Sequence, residues 1–278
     1  MQQGIALITG ACGGMGQACA QVLGRHYRLA LSDIAMDRVD ALADSLERLG
    51  HAVVARHAGD YAQPGVAAAA VEAARAAGPV RAVVHTAGLS PVQAGWDRIL
   101  RTNIVATAEL LDALEADERE PFNAVLISSI AGHGGLANPR PELDALLDAP
   151  LQADVVERAG PLLAGLARAD DPFGASSPAY AYSKAAVIRM AERRAARWGR
   201  AGRRIVTISP GVTRTPMGIA EVEGNAAARS VAEITPLGIG SPMGIANAAE
   251  FLLSDLAASI TGTDLRIDGG LMPAARWG

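Results

Sequence analysis

The feature that most constrains the fold of this 278-residue chain is a regular alternation of short apolar runs with helix-like segments. The apolar runs have the length and composition of buried strands, and the stretches between them have helical spacing. Alternating strands and helices build a parallel sheet with helices on both faces. The predicted fold is therefore α/β, a Rossmann-like doubly wound parallel sheet of seven strands. The predicted strands are Ile5–Ile8, Arg28–Asp33, Ala52–His57, Val80–His85, Ala124–Ser128, Arg204–Ser209 and Asp264–Ile267. The predicted helices are Gly16–Leu23, Arg38–Leu49, Val66–Ala77, Trp96–Ala116, Tyr180–Trp198 and Ala246–Leu253.

Composition narrows the class of protein. Hydrophobic residues make up 50% of the chain and aromatic residues only 4%, so small aliphatic side chains must fill the core. The net charge is −4 and the basic residues are scattered, which argues against a nucleic-acid partner. Without a membrane-length apolar run or a signal-peptide pattern, we expect a cytoplasmic protein with no membrane partner. Cys12 and Cys19 fit neither a disulfide framework nor a metal cluster, so no metal is predicted.

The chain shows no repeat and no linker, which predicts a single domain over residues 1–278. Two stretches nevertheless break the alternation. Gly132 to Pro178 has no strand pattern and contains two helical segments, near Pro141–Leu147 and Gln152–Arg168. Residues 212–245 are rich in Gly, Pro, Met and Thr. Long irregular segments in a compact domain usually form lids or binding loops, so both stretches are expected near a site.

A glycine-rich turn follows the first strand directly. Residues 9–16 read TGACGGMG, and a helix follows. Glycines allow a tight turn and close approach of a phosphate, and a helix N-terminus offers free amides. Asp33 ends the second strand, 17 residues after Gly16, where a carboxylate can accept both adenosine ribose hydroxyls and repel a 2′-phosphate. An ordinary glycine turn and a helix-capping aspartate are the alternatives.

Lys184 is the only lysine, and the other 24 basic residues are arginines. A codon bias toward arginine explains the arginines, but a retained lysine suggests a position that needs a compact ammonium group. Tyr180 lies four residues earlier, on the same helical face. An ammonium should lower the phenol pKa from about 10 and suit the phenol to acid–base catalysis. The spacing also arises by chance, and Tyr182 is a second candidate, although its fourth neighbour is Ala186.

Ser128 and Ser129 end the fifth strand, and ligands of open α/β sheets bind beyond the carboxyl ends of the strands. A hydroxyl there can hydrogen-bond a reacting oxygen, or it can merely satisfy a strand-end amide.

Taken together, these motifs resemble the short-chain dehydrogenase/reductase family over nearly the whole chain. The matching positions are the TGxxxGxG residues Thr9, Gly10, Gly14 and Gly16, the acids Asp33 and Asp60, Asn103, Ser129, the YxxxK pair Tyr180 and Lys184, the PGxxxT residues Pro210, Gly211 and Thr215, and the late Asp268-Gly269-Gly270 turn.

The resemblance implies a role for each position. Tyr180 is implied as the acid/base, with Lys184 lowering its pKa and holding the nicotinamide ribose. Ser129 is implied to bind the substrate oxygen, and Asn103 to support a water-linked proton path. The implied cofactor is NAD(H), and the residues that the resemblance assigns to its binding are Thr9, Gly10, Gly14, Met15, Gly16, Asp33, Asp60, Ala87, Gly88, Tyr180, Lys184, Pro210, Gly211, Val212 and Thr215.

Two features depart from the family pattern. The NNAG motif appears as His85-Thr86-Ala87-Gly88, and we interpret His85 as a structural substitute. Ser129 and Tyr180 are 51 residues apart, which predicts a helical insertion within 133–178. A bacterial subgroup that includes 3α-hydroxysteroid dehydrogenase/carbonyl reductase is similar here and in the run Arg194 to Arg203.

The expected activity is interconversion of a secondary alcohol and a ketone. A bulky apolar substrate, such as a hydroxysteroid or cyclic alcohol, is the first hypothesis, and a smaller carbonyl compound is the second. A non-catalytic NAD-binding sensor should lack Ser129, Tyr180 or Lys184, and an extended-family epimerase should carry a separate C-terminal substrate domain. The substrate pocket is expected to be walled by Met217, Ile219, Met243 and the apolar insertion residues Leu143, Leu146, Leu147, Val155, Val156, Leu162, Leu163 and Leu166. The alternative, favoured for most of the insertion residues, is that their helical faces only pack on the body of the protein.

The insertion also bears on assembly. It should obstruct the helix pairing by which family tetramers often form. We therefore expect a homodimer through the Ala246–Leu253 helix and the last strand.

Overall fold

In a computed structural model that describes residues 4–116 and 121–277, the strands of these ranges form one parallel sheet. The strand order is β3-β2-β1-β4-β5-β6-β7, which reverses direction between β1 and β4. The predicted Rossmann-like fold is confirmed, and no strand end differs from the prediction by more than one residue. The strands are β1 (Ile5–Thr9), β2 (Arg28–Asp33), β3 (Val53–Ala58), β4 (Val80–His85), β5 (Asn123–Ile127), β6 (Arg204–Pro210) and β7 (Asp264–Ile267).

Helices cover both faces of the sheet, and each face has its own apolar core. Successive side chains of β1 point to opposite faces of the sheet. Ile5 and Leu7 pack in one core, and Ala6 and Ile8 pack in the other. The helices over the first core are α3 (Val66–Ala76), α4 (Trp96–Leu100), α5 (Ala106–Glu115), α7 (Pro141–Leu147), α8 (Val155–Ala164) and α9 (Ser176–Arg200). Those over the second are α1 (Gly14–Leu23), α2 (Met36–Arg48) and α12 (Pro242–Leu253). The remaining helices are α6 (Ile130–Ala137), α10 (Pro216–Gly224), α11 (Ala226–Ile234) and α13 (Leu271–Trp277).

The predicted helix over 96–116 is helical from Trp96 to Glu115, but it is not α-helical throughout. A π-helical turn, Arg101–Val105, separates α4 from α5 and has Asn103 at its centre. A π turn inserts one residue into the helical ladder and often occurs at functional sites. The Thr107 hydroxyl donates a hydrogen bond to the Asn103 carbonyl oxygen at 2.7 Å. This bond satisfies the carbonyl oxygen where the helical hydrogen-bond pattern changes.

The segment after β5 is more regular than predicted, because it begins with the unpredicted helix α6. Its glycines read as loop residues, but they bring α6 against α9. A methyl group added at Gly132 would lie 2.8 Å from the Lys184 carbonyl carbon, and one at Gly135 would lie 3.0 Å from the Ala185 Cβ. The glycines therefore serve close packing of two helices beside Lys184.

The insertion leucines pack on the body of the protein, which is the alternative that the sequence favoured for most of them, and these buried side chains do not wall an open pocket. Leu143, Leu147 and Leu163 are almost fully buried in the first core. A methyl group added at Gly160 would lie 2.7 Å from the Trp96 ring, so α8 packs tightly on α4. The helical faces of the insertion are used to cover the body of the protein.

Residues 212–245 contain capped helices where the sequence predicts irregular chain. The Thr215 hydroxyl accepts a hydrogen bond from the Gly218 amide at 3.0 Å, and Pro216 takes the first position of α10. α10 therefore starts at a defined point beside the glycine-rich turn.

Cys12 and Cys19 are both buried free thiols. Across the described ranges, none of the helices combines enough length with enough apolar character to cross a membrane.

Candidate active site

The glycine-rich turn between β1 and α1 has no space for side chains. Gly10 has a φ of +64°, and a methyl group there would lie 2.6 Å from the Ala87 nitrogen. Methyl groups at Gly14 and Gly16 would lie 2.7 Å from the Thr215 Cγ2 and 2.2 Å from the Gly10 oxygen. The turn therefore places bare backbone at the N-terminus of α1, where amides can receive a diphosphate. Met15 lies in the first turn of α1.

His85 holds the sheet end beside this turn. Its Nδ1 lies 2.6 Å from the Thr9 hydroxyl and its Nε2 lies 2.8 Å from the Thr107 hydroxyl. Burial, with a smaller effect from Lys184, lowers the pKa of His85 to about 3. A neutral imidazole fixed on both sides is a structural group, in agreement with its interpretation as a substitute for asparagine.

Asp33 ends β2 beside the glycine-rich turn. Its carboxylate accepts hydrogen bonds from the Cys12 and Ile34 amides, both at 2.8 Å. Arg38 donates to the Cys12 carbonyl at 3.1 Å on the same turn. The two amides hold the carboxylate at the position where the sequence predicts ribose recognition.

Asp60, the predicted second acid, follows β3. It accepts from the Ala62 amide at 3.0 Å and pairs with Arg98 of α4 at 3.0 Å. This pair connects the end of β3 to α4.

Asn103 connects the loop after β4 to α9. Its Oδ1 accepts from the Leu89 amide at 2.8 Å, and its Nδ2 donates to the Leu89 carbonyl at 3.0 Å. The same Nδ2 also lies 3.1 Å from the Ser183 hydroxyl. The side chain therefore fixes the backbone beside Ala87 and Gly88, two predicted cofactor-binding positions.

The two serines after β5 have different partners. Ser128 donates to the Lys184 carbonyl at 2.8 Å and so anchors α9 to the sheet. The Ser129 hydroxyl accepts from the Ala131 amide at 3.2 Å and also hydrogen-bonds the Tyr180 phenol. The structure thus brings together Ser129 and Tyr180, which are far apart in the chain.

Lys184 is buried and directed at the end of β5. Its Nζ donates to the Ile127 carbonyl at 2.9 Å and lies 5.9 Å from the centroid of the Tyr180 ring. A methyl group at Gly88 would lie 3.3 Å from this Nζ, so Gly88 keeps the approach to the ammonium open. Burial lowers the pKa of Lys184 to about 8, while the charge of Glu221 opposes this shift.

The predicted lowering of the Tyr180 pKa is wrong for this structure. Burial and then the negative charge of Glu221 raise the pKa of Tyr180, and the hydrogen bond from Ser129 only partly opposes them. The ammonium of Lys184 is bound to Ile127 instead of the phenol, which leaves burial as the dominant effect.

Comparison with known proteins settles the family. A sequence model described as short chain dehydrogenase matches residues 4–139, and one described as enoyl-(acyl carrier protein) reductase matches residues 167–272. D-threitol dehydrogenase of Mycolicibacterium smegmatis is 31% identical over 96% of this chain and 92% of its own. The chain belongs to the short-chain dehydrogenase/reductase family. It is therefore an oxidoreductase that acts on alcohol or carbonyl groups with a nicotinamide cofactor.

Two further members of this family resemble the chain. The 3-alpha-hydroxysteroid dehydrogenase/carbonyl reductase of Comamonas testosteroni is 31% identical over 68% of this chain and 71% of its own. The solved structure of the 3-alpha-hydroxysteroid dehydrogenase from Pseudomonas sp. B-0831 complexed with NADH superposes with a TM-score of 0.76, at 27% identity and 98% coverage of both chains.

In this dehydrogenase/reductase, Tyr182 is separated from the site that contains Tyr180. The Tyr182 side chain is buried, and its hydroxyl donates to the Asn138 carbonyl at 2.7 Å. Its phenol therefore fixes the end of α6 to α9, and the geometry favours Tyr180 for proton transfer.

The segment after β6 completes the cofactor side of the reductase site. A methyl group at Gly211 would lie 2.9 Å from the Asp268 Cα, so Pro210 and Gly211 run directly beside the late glycine turn. The Val212 carbonyl accepts from the Gly240 amide at 2.8 Å. Thr215 then packs against Gly14, which joins this segment to the nucleotide turn.

Sequence reasoning missed Ser90 and Glu221. Both belong to segments beside Tyr180 and Lys184, and Glu221 changes the pKa of each. The available signal was Glu221, the first of two acids in α10, which follows the apolar residues Met217 and Ile219.

The residues present fit a nicotinamide dinucleotide. Bare glycine backbone adjoins the N-terminus of α1, a fixed carboxylate ends β2, and an open path at Gly88 leads to Lys184. These features lie at the carboxyl ends of β1, β2 and β4, where the strand order reverses.

Proposed function

We propose that the protein is an NAD(H)-dependent dehydrogenase that interconverts a secondary alcohol and a ketone. The observation that carries this proposal is the grouping of Ser129, Tyr180 and Lys184 at the carboxyl end of β5. A phenol that hydrogen-bonds a serine hydroxyl, with a buried ammonium nearby, can exchange a proton with a substrate oxygen.

Each of these residues has a distinct role in the proposed alcohol oxidation. Ser129 hydrogen-bonds the substrate oxygen and holds it near the Tyr180 phenol. Tyr180 accepts the hydroxyl proton as a phenolate, so a positive charge must offset burial and Glu221, which both raise its pKa. The Lys184 ammonium, 5.9 Å from the ring centroid, is proposed to supply that charge. A nicotinamide dinucleotide held by the glycine-rich turn and Lys184 would supply the hydride acceptor for oxidation of the carbinol carbon, and its reduced form would supply the hydride for the reverse reaction. Asn103 holds the loop at Leu89 that borders the ammonium.

The preference for NAD(H) over NADP(H) is proposed from Asp33. Two backbone amides hold its carboxylate at the end of β2, so it cannot move away from a cofactor in the crevice without losing both bonds. A 2′-phosphate on the adenosine ribose would face this negative charge. Arg38 could offset the negative charge of a 2′-phosphate, but it is already bound to the Cys12 carbonyl.

The proposed substrate is a bulky, largely apolar alcohol or ketone, such as a hydroxysteroid or cyclic alcohol. Two relatives whose names include hydroxysteroid dehydrogenase support this class. Ile219 on α10 and Met243 on α12 are exposed apolar side chains that can contact such a molecule. A smaller carbonyl compound is the second candidate.

The test is a set of initial rates with a 3-ketosteroid, cyclohexanone and pyruvate, each with NADH and with NADPH. We expect ring ketones with NADH to have the highest kcat/KM. NADH should be preferred over NADPH by about 10²-fold, because placing the 2′-phosphate of NADPH beside the Asp33 carboxylate costs several kcal/mol. Asp33→Ala should reduce that preference, whereas Asp37→Ala, an exposed acid on α2, should keep it. Equal efficiency with NADPH would contradict the cofactor assignment, and a preference for pyruvate would contradict the substrate class.

We also propose a cytoplasmic homodimer, with both cysteines as free thiols in support of a reducing compartment. The insertion covers α9, where Arg189 pairs with Asp144 at 3.1 Å and Asp148 at 2.7 Å. This leaves α12 and β7 as the expected interface, with Phe251 42% exposed and Leu265 38% exposed.

Light scattering should therefore give the mass of a dimer. Phe251→Asp should shift this mass toward a monomer, since a buried charge at an apolar interface is unfavourable. Leu151→Asp, an equivalent change on the exposed insertion, should leave the dimer intact. A tetramer that dissociates on Leu151→Asp would contradict the proposed interface.

A further inference from the structure

A buried hydroxyl that makes no hydrogen bond of normal geometry lies in the loop after β4. The Ser90 side chain is 0% exposed, and among the described residues the group nearest to pairing with its Oγ is the Glu221 carboxylate, whose pKa Ser90 lowers. Buried polar groups are nearly always hydrogen-bonded, so one without a bond of normal geometry at a functional site calls for an explanation. The Asn103 side chain holds the adjacent residue Leu89 through two hydrogen bonds, which fixes Ser90 beside the reactive groups.

Helix α10 lies across this loop. It begins at Thr215, which packs against Gly14 of the nucleotide turn. At its other end, a methyl group at Gly224 would lie 3.9 Å from the Val92 Cγ1. The helix therefore runs from the cofactor side of the site to the loop that contains Ser90.

Glu221 lies on α10 between these two contacts, with its carboxylate near Ser90, Tyr180 and Lys184. Burial raises the pKa of Glu221, while Ser90 and the charge of Lys184 lower it in part. In return, Glu221 raises the pKa values of both Tyr180 and Lys184. No ion pair joins Glu221 to Lys184 within the described part of the chain, so the acid is not simply the counterion of the ammonium.

An anion beside Tyr180 opposes formation of the phenolate, and it would contribute nothing to the binding of a purely apolar substrate. It can contribute to binding if a polar group of the substrate contacts it. A hydroxyl group fits best, because it can donate to the Glu221 carboxylate and accept from the Ser90 hydroxyl at once. An ammonium group cannot accept from Ser90, and Lys184 would repel it.

We propose that Glu221 and Ser90 form a subsite for a second hydroxyl group of the substrate. The preferred substrates are then diols or hydroxyketones, in which the second hydroxyl orients a ring or chain otherwise held by apolar contacts. This inference rests on the alcohol/ketone function proposed above and specifies its substrate class.

The test compares kcat/KM for cyclohexanol, the 1,2-, 1,3- and 1,4-cyclohexanediols and 4-aminocyclohexanol, with NAD⁺. We expect the wild type to prefer at least one diol over cyclohexanol by about 10–10²-fold, because polar groups of a site select substrates that satisfy them. Glu221→Gln and Ser90→Ala should each reduce this ratio. The double variant should reduce the ratio by less than the product of the two single reductions, because both side chains contact the same substrate hydroxyl. Glu223→Gln, an exposed acid of the same helix, should keep the ratio.

The outcomes separate this subsite from the overall function. Oxidation of cyclohexanol and the diols with equal efficiency would overturn the subsite alone. An unchanged ratio in Glu221→Gln would also overturn it, and so would a preference for the amino alcohol over every diol. Failure to oxidise any of these alcohols or to reduce any ketone of the earlier panel, with either cofactor, would overturn both the subsite and the proposed function.

Discussion

Tyr180→Phe is expected to lose turnover by about 10²–10⁴-fold or more, the range that a positioned acid–base group contributes. The substitution removes the phenolic hydroxyl that hydrogen-bonds Ser129 and keeps the ring in place. Binding of NADH, measured by its fluorescence, should change little, because the dinucleotide turn and Asp33 are unaffected. The kinetic loss should therefore appear in kcat without a matching loss of cofactor affinity.

Tyr182→Phe is the matched control for this variant. It removes a hydroxyl from the same helix, and the lost hydrogen bond to the Asn138 carbonyl should cost about 1 kcal/mol of the free energy of unfolding. Its kcat should stay close to that of the wild type. If Tyr182→Phe is inactive while Tyr180→Phe retains turnover, the assignment of the proton-transfer residue is wrong.

Lys184→Arg is expected to be almost as damaging, although it keeps a positive charge. The ammonium is buried, donates to the Ile127 carbonyl at 2.9 Å and has the Gly88 backbone close by. A planar guanidinium is larger and spreads its charge over three nitrogens. A displacement of about 1 Å in an active site can reduce the rate on the order of 10²-fold.

Comparison with Lys184→Met separates charge from geometry in steady-state kinetics. We expect kcat/KM of the arginine and methionine variants to agree within about tenfold, since neither places a compact cation beside Tyr180. NADH affinity should also fall in both variants, because Lys184 is proposed to hold the nicotinamide ribose. An arginine variant with wild-type kcat/KM would show that charge alone suffices.

Much of the architecture follows from the sequence. Apolar runs and helical spacing predict the seven-stranded sheet, and the motifs place Asp33, Ser129 and Lys184 at strand or helix ends. These features depend on residues that are close in the chain or on the general rule that parallel strands share one carboxyl edge. The single lysine was informative because the surrounding composition is almost entirely arginine.

Other features depend on contacts between distant segments. Gly132 and Gly135 read as loop residues until α6 is seen to pack on α9. The apolar insertion faces predict packing on the body of the protein, but not which of its helices they meet, such as α4 beneath Gly160. The π turn at Asn103 likewise has no signature in helical periodicity, since the residues on both sides remain good helix formers.

The pKa values of the site residues also depend partly on local sequence and partly on contacts between distant segments. Tyr180 and Lys184 are four residues apart, so their shared helical face can be predicted from the sequence. The contact of the ammonium with Ile127 and the position of Glu221 beside the phenol depend on how distant segments fold together. Burial and through-space charge set a pKa, and both depend on which distant segments meet.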